Sequence, residues 1–65
     1  MVVKVIELVG SSKNNWTEAV DNAVHEAAKT IHYIVGVEVT NFTANINEGE
    51  IVEYRANVKL AFKVK

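Results

Sequence analysis

The sequence predicts an α+β fold in one domain over residues 1–65, with chain order β-α-β-β. A three-stranded antiparallel sheet in order 1-3-2 is packed on one amphipathic helix. Three observations carry this expectation. Trp16, Ala19, Val20, Ala23, Val24, Ala27, Ala28 and Ile31 recur in alternating steps of three and one, the apolar stripe of a helix. Val52, Tyr54, Ala56, Val58, Leu60, Phe62 and Val64 alternate with mostly polar residues, the period of a strand with one buried face. Between the helix and that strand lies another β-rich run, joined to it by the short Gly-containing connection Asn47-Glu48-Gly49-Glu50.

Each element follows in order. Val2–Val9 is rich in β-branched residues and reads as the first strand, with Gly10-Ser11-Ser12-Lys13-Asn14 expected to break it. Asn15 is a good N-cap, and Glu18 three residues later gives capping-box spacing. The helical pattern from Trp16 runs about 17 residues, or ~25 Å at the usual rise. Ile34–Ile46 reads as the second strand and Glu50–Val64 as the third. Strict alternation places Val35, Val37 and Val39 on one face of the second strand and Ile34, Phe42 and Ile46 on the other. One helix covers only one face of such a sheet, so apolar surface is expected to remain for copies of the chain to bury.

Composition narrows the function. A chain of 65 residues is a marginal core on its own and ordinarily needs a staple. There is no cysteine, which excludes disulfides and Cys-based zinc sites, so self-association is the staple left. A net charge of −1 is far from the basic balance of a nucleic-acid binder. No apolar run has the length of a membrane span, and no signal-peptide pattern opens the chain, so a cytoplasmic module without a membrane partner is expected. No serine stands in a nucleophile elbow and no base is placed beside one, so no enzyme is expected.

Several residues carry candidate chemistry. Asn45, Asn47, Glu48, Glu50 and Glu53 make an oxygen-rich hairpin tip, a candidate calcium site if neighbouring copies complete the coordination, with Glu38 and Asn41 as weaker candidates. A solvated turn is the alternative. Arg55, Lys59 and Lys63 share one strand face, a basic patch or simply a solvated surface. His25 and His32, seven residues apart on the polar helix face, are too distant to share a metal and read as solvated. Gly36 interrupts an apolar run, as a bulge, a small-residue packing site or a place of close approach. Trp16 lies on the apolar stripe and reads as a packing anchor. The two N-x-T patterns, at Asn15 and Asn41, carry no weight without a secretory signal.

Taken together, these segments resemble the dodecins, small β-α-β-β proteins that assemble as hollow shells of twelve subunits. Lys4-Val5-Ile6-Glu7-Leu8-Val9-Gly10-Ser11-Ser12 resembles the family's K-V-x-E-L-V-G-T-S strand and turn, and Asn15-Trp16-Thr17-Glu18-Ala19 its S-W-E-E-A helix start. Ala23, Ala27 and Thr30-Ile31 follow its alanine-spaced helix, and Tyr54, Val58-Lys59 and Phe62-Lys63-Val64 its closing strand. The resemblance implies a homododecamer that binds or stores a small molecule or ion, with a ligand-free structural oligomer as the alternative. The ligand it implies first is a flavin, FMN or riboflavin, stacked between symmetry-related tryptophans. An ungapped alignment through Glu38-Val39 puts Gly36 at that tryptophan and Arg55 at the flavin-contacting glutamine, so the two cofactor-binding positions both depart from the pattern. Glycine offers no π surface to stack on. Members lacking the tryptophan are associated with calcium, and the chain resembles that branch.

Overall fold

A computed structural model describes residues 1–65. The elements are β1 (Val2–Ser12), α1 (Trp16–Ala28), β2 (Ile34–Asn47) and β3 (Glu50–Val64). All pairing is antiparallel, and β3 lies between the other two, giving the expected order 1-3-2. The protomer is long and thin, 49 × 20 × 13 Å. The α1 helix lies over β1 and β3 and scarcely touches β2.

The buried apolar residues are Ala19, Ala23 and Ala27 from α1 and Ala56, Val58 and Leu60 from β3. Four of the six are alanines, so the helix sits unusually close to the sheet. Closest of all is Gly10. A Cβ built there would stand 2.0 Å from the Ala19 carbonyl oxygen and 2.8 Å from the Ala23 Cβ. This contact explains why β1 does not end at Val9 as expected. Gly10, Ser11 and Ser12 continue the ladder opposite Ala56, Arg55 and Tyr54, because the glycine is the point where α1 crosses the strand. Beyond it, the buried Ser12 hydroxyl accepts from the Asn14 amide at 2.9 Å, and Asn15 Oδ1 accepts from the Glu18 amide at 2.7 Å, capping the helix as its sequence requires.

The helix is shorter than its apolar pattern. It stops at Ala28, with Lys29 as C-cap, where the Lys29 and Thr30 amides turn to i−3 carbonyls and tighten the last turn. Ile31 still packs on the core beyond the helix end. Tyr33, at φ 63°, then reverses the chain into β2, and its carbonyl accepts from the Lys63 amide at 3.0 Å. At the other end, Glu48 and Gly49 have φ of 52° and 78°, the pair of positive angles a type I′ hairpin needs.

Strand β2 departs from strict alternation. Register shifts fall between Ile34 and Gly36, Val39 and Asn41, and Asn45 and Ile46. Opposite residues share a face, so Ile34, Val37, Val39 and Phe42, paired with Phe62, Leu60, Val58 and Ala56, all lie on the helix side. The expected division of β2 into two apolar faces is therefore corrected. The bulges at Val35 and Thr40 return Val37 and then Phe42 to the side of Ile34, whereas the third shift skips Val52 of β3. Apolar surface is still left over, in different places. Val3, Val5 and Val9 of β1 stand exposed on the open face, and Val37 and Phe42, 45% and 54% exposed, lie on the helix side where α1 leaves them largely uncovered.

Replacing Gly10 by alanine forces a methyl group into the main chain of α1, with no flexible side chain to yield. The expected cost is about 3 kcal/mol or more, seen as a lowered urea midpoint at unchanged slope.

Candidate functional site

The face of the sheet turned away from α1 is open. Reading β1, β3 and β2 across the register, it is built in rows. Ser11, Arg55 and Thr43 form one, Val9, Asn57 and Asn41 the next, then Glu7, Lys59 and Glu38, then Val5, Ala61 and Gly36. The strands curve around two concavities that meet at Lys59. One, of about 630 Å³, lies over the Asn57 and Lys59 rows, and the other, of about 240 Å³, over Gly36, Val5 and Ala61.

Gly36 sits at the first bulge without a positive φ, and a Cβ there would meet nothing within 4 Å. Neither backbone conformation nor packing within the protomer requires a glycine at this position. Its effect is to leave a shallow hollow floored by small residues. Arg55 is on the same face, six residues along β3 from Ala61, the partner of Gly36, which is ~20 Å of strand. One protomer does not bring Gly36 and Arg55 together.

The hairpin candidates divide into two groups. Asn45 and Glu53 face each other across the strands, and Asn45 Nδ2 donates to Glu53 Oε1 at 3.0 Å. Arg55 Nε donates to the same oxygen at 3.0 Å, so the Glu53 carboxylate is already balanced by a guanidinium. Asn47, Glu48 and Glu50 are exposed at the tip. No three His, Asp or Glu side chains in the protomer are grouped to hold a metal ion. The Arg55, Lys59 and Lys63 row exists as expected, but Arg55 is tied to Glu53 and Lys59 Nζ lies 3.9 Å from Glu7 Oε1, which removes much of its basic character. His25 and His32 are exposed.

Two features of this face had no signal in the sequence. Asn57 Nδ2 donates to Asn41 Oδ1 across the strands, and Thr40, the bulged residue before Asn41, donates its hydroxyl to the Asn57 carbonyl at 3.0 Å. Both depend on a register that alternation alone does not give. Trp16 is an anchor, as its place on the stripe implied. Its ring lies edge-on to Tyr54 at 4.7 Å and to Phe42 at 6.2 Å, and its indole N–H donates to the Thr43 carbonyl at 2.9 Å. It is the tie between the start of α1 and the β2–β3 hairpin. No helix is long and apolar enough to cross a membrane.

Comparison with known proteins agrees with this architecture. The Dodecin family model matches residues 2–65. The dodecin of Thermus thermophilus is 30% identical over 64 residues, 98% of this chain and 93% of that protein. Among solved structures, dodecin from Streptomyces coelicolor superposes with a TM-score of 0.96 at 31% identity, covering 98% of this chain and 91% of its own. The calcium dodecin of Mycobacterium tuberculosis, a calcium-chelating antigen, superposes with a TM-score of 0.87 at 29% identity, covering 100% and 93%.

Trp16→Phe keeps the aromatic packing but leaves the Thr43 carbonyl without its donor. A loss of about 0.5–1.5 kcal/mol in unfolding free energy is expected. An unchanged midpoint would show that the indole does not tie α1 to the hairpin.

Proposed function

The chain belongs to the dodecin family, and from that premise we propose that it is the subunit of a homododecameric shell that binds and stores a small molecule or ion in the cytoplasm, without catalysis. The observation that carries the reading is the unfinished surface of the protomer. Only 8 of 65 residues are buried, and the accessible surface is 4674 Å². A compact monomer of this mass would expose about 4,100 Å². The excess includes Val3, Val5 and Val9 on the open face and Val37 and Phe42 beside the helix, residues that copies of the chain would cover. The open face between them is concave and carries polar groups, as a small-ligand surface needs.

The ligand that the resemblance implies, a flavin, would be held through Gly36 and Arg55 of different copies. Gly36 contributes no stacking surface, so the native chain is expected to bind FMN weakly. The open space over Gly36 accepts a larger side chain within the protomer. FMN fluorescence should therefore be little quenched by excess native protein and strongly quenched by Gly36→Trp, since one aromatic stacking contact is worth about 1–3 kcal/mol. Equal quenching by both proteins would remove Gly36 from the site. No quenching by either would remove the flavin reading.

A second reading is favoured by the calcium-chelating relative from M. tuberculosis. Glu48 and Glu50 are exposed at the hairpin tip and enter no ion pair within the protomer. With Asn45, Asn47 and Glu53 they would supply oxygen ligands, several copies together completing one calcium shell. A chelator should then lower Tm, with recovery on adding calcium. A Tm indifferent to both would exclude a structural cation.

A further inference from the structure

We propose that the outer edge of β1, from Val2 to Gly10, pairs antiparallel with the same edge of a second copy, joining two three-stranded sheets into one about a two-fold axis at Ile6. The inference rests on the self-association reading above and names the surface that would serve it.

A sheet of order 1-3-2 has two edges, β1 and β2. Each presents a row of main-chain N–H and C=O groups that pair only if another strand is added. The two edges differ in how they are protected. Three register shifts break β2, and the Trp16 indole occupies its Thr43 carbonyl. Bulges and covering side chains are the devices that blunt an edge. Over most of its length β1 has neither. It pairs with β3 from Val2 to Ser12 without a shift. Asn22 closes one end of it, where Nδ2 donates to the Ser11 carbonyl at 2.9 Å. No side chain bonds to the main chain of Val2–Gly10, whose only main-chain partner is β3. Val2, Val3, Val5 and Val9 along this stretch are each half or more exposed.

The order of residues along the edge selects its occupant. Pairing about a two-fold axis sets one residue opposite its own copy, and residues equidistant from it opposite each other. An axis at Lys4 or at Glu7 opposes like charges directly, which is destabilising. Ile6 is the midpoint of the uncovered stretch, so an axis there pairs all of Val2–Gly10. Val3 then faces the copy's Val9, Val5 its Glu7, Lys4 its Leu8 and Val2 its Gly10, with no like charges opposed. Glu7 keeps its own counter-charge, Lys59 Nζ at 3.9 Å. Main-chain groups supply the bonds, as in any added strand. A foreign strand would satisfy them equally well. The match of Val3 to Val9 and the separation of the charges favour a second copy of this chain.

The chain has no cysteine, so introduced ones report the pairing directly. Opposed residues of an antiparallel pair have Cα atoms about 4.5–5.5 Å apart, within the span of a disulfide. Val3→Cys/Val9→Cys changes two exposed residues of the open face. Within one chain those positions are ~20 Å apart along the strand and cannot bridge each other. Mild oxidation of the dilute native particle should carry most of this double variant to twice the 7.2 kDa chain mass on a denaturing gel without reductant, while each single variant stays at the chain mass. Val3→Cys/Glu7→Cys, opposed only if the axis lies at Val5, should cross-link several-fold less. Far-UV dichroism and Tm verify the fold of each variant. Preferential cross-linking of Val3→Cys/Glu7→Cys would overturn the register. No covalent dimer from Val3→Cys/Val9→Cys, in a particle that light scattering shows to be intact, would overturn the pairing and leave self-association standing. That is also the result if the edge serves a foreign strand. A native chain of monomer mass would remove self-association and this pairing together.

Discussion

The structure depends on the distance between α1 and the sheet, and Gly10 sets that distance. Where β1 passes under the helix there is no room even for a methyl group, because the Ala19 carbonyl fills the space. The helix answers with alanine at its three buried positions, Ala19, Ala23 and Ala27, and β3 answers with Ala56 opposite Gly10. Close packing of small residues gives good contact, but little area is buried per residue. The core is consequently thin, with Leu60 and Val58 its only large, fully buried side chains.

That thinness explains the rest of the surface. A helix set tightly over β1 and β3 reaches β2 only through Trp16 at its start, so Val37 and Phe42 stay largely exposed on the helix side. The opposite face has no cover at all, and β1 places Val3, Val5 and Val9 there. The chain has no disulfide, and contact between copies is what the proposed shell would add to this thin core. The same geometry shapes the functional reading. Gly36 and Arg55 are on one face but far apart along it, so a ligand touching both positions would be held between copies.

Much of this was legible in the residues, and the failures have physical causes. The alternation of β3 and the stripe of α1 each follow from a single repeat period, and so the element types, the strand order and the hairpin could be read from the sequence. The second strand could not, because a bulge resets the period without any residue type that announces it. Alternation therefore assigned Ile34 and Phe42 to the wrong side of the sheet relative to Val37 and Val39. Gly10 read as punctuation because it is followed by two serines, although the alanines spaced by four in the helix were the hint that something small must face them. Capping and tightening at Lys29 ended the helix before its apolar pattern did. For the candidate site, the side-chain types were visible but not their neighbours. Nothing in the sequence shows that Glu53 is balanced by Arg55, or that Asn41 meets Asn57.

The proposed dependence of this fold on its own copies is tested most directly by the mass of the native particle, measured by light scattering on a size-exclusion column across a dilution series. The expected result is a single species near twelve times the 7.2 kDa chain, persisting on dilution until the chain unfolds and dissociates together. A folded, stable 7.2 kDa monomer would contradict it, since the exposed valines and Phe42 would then need no partner.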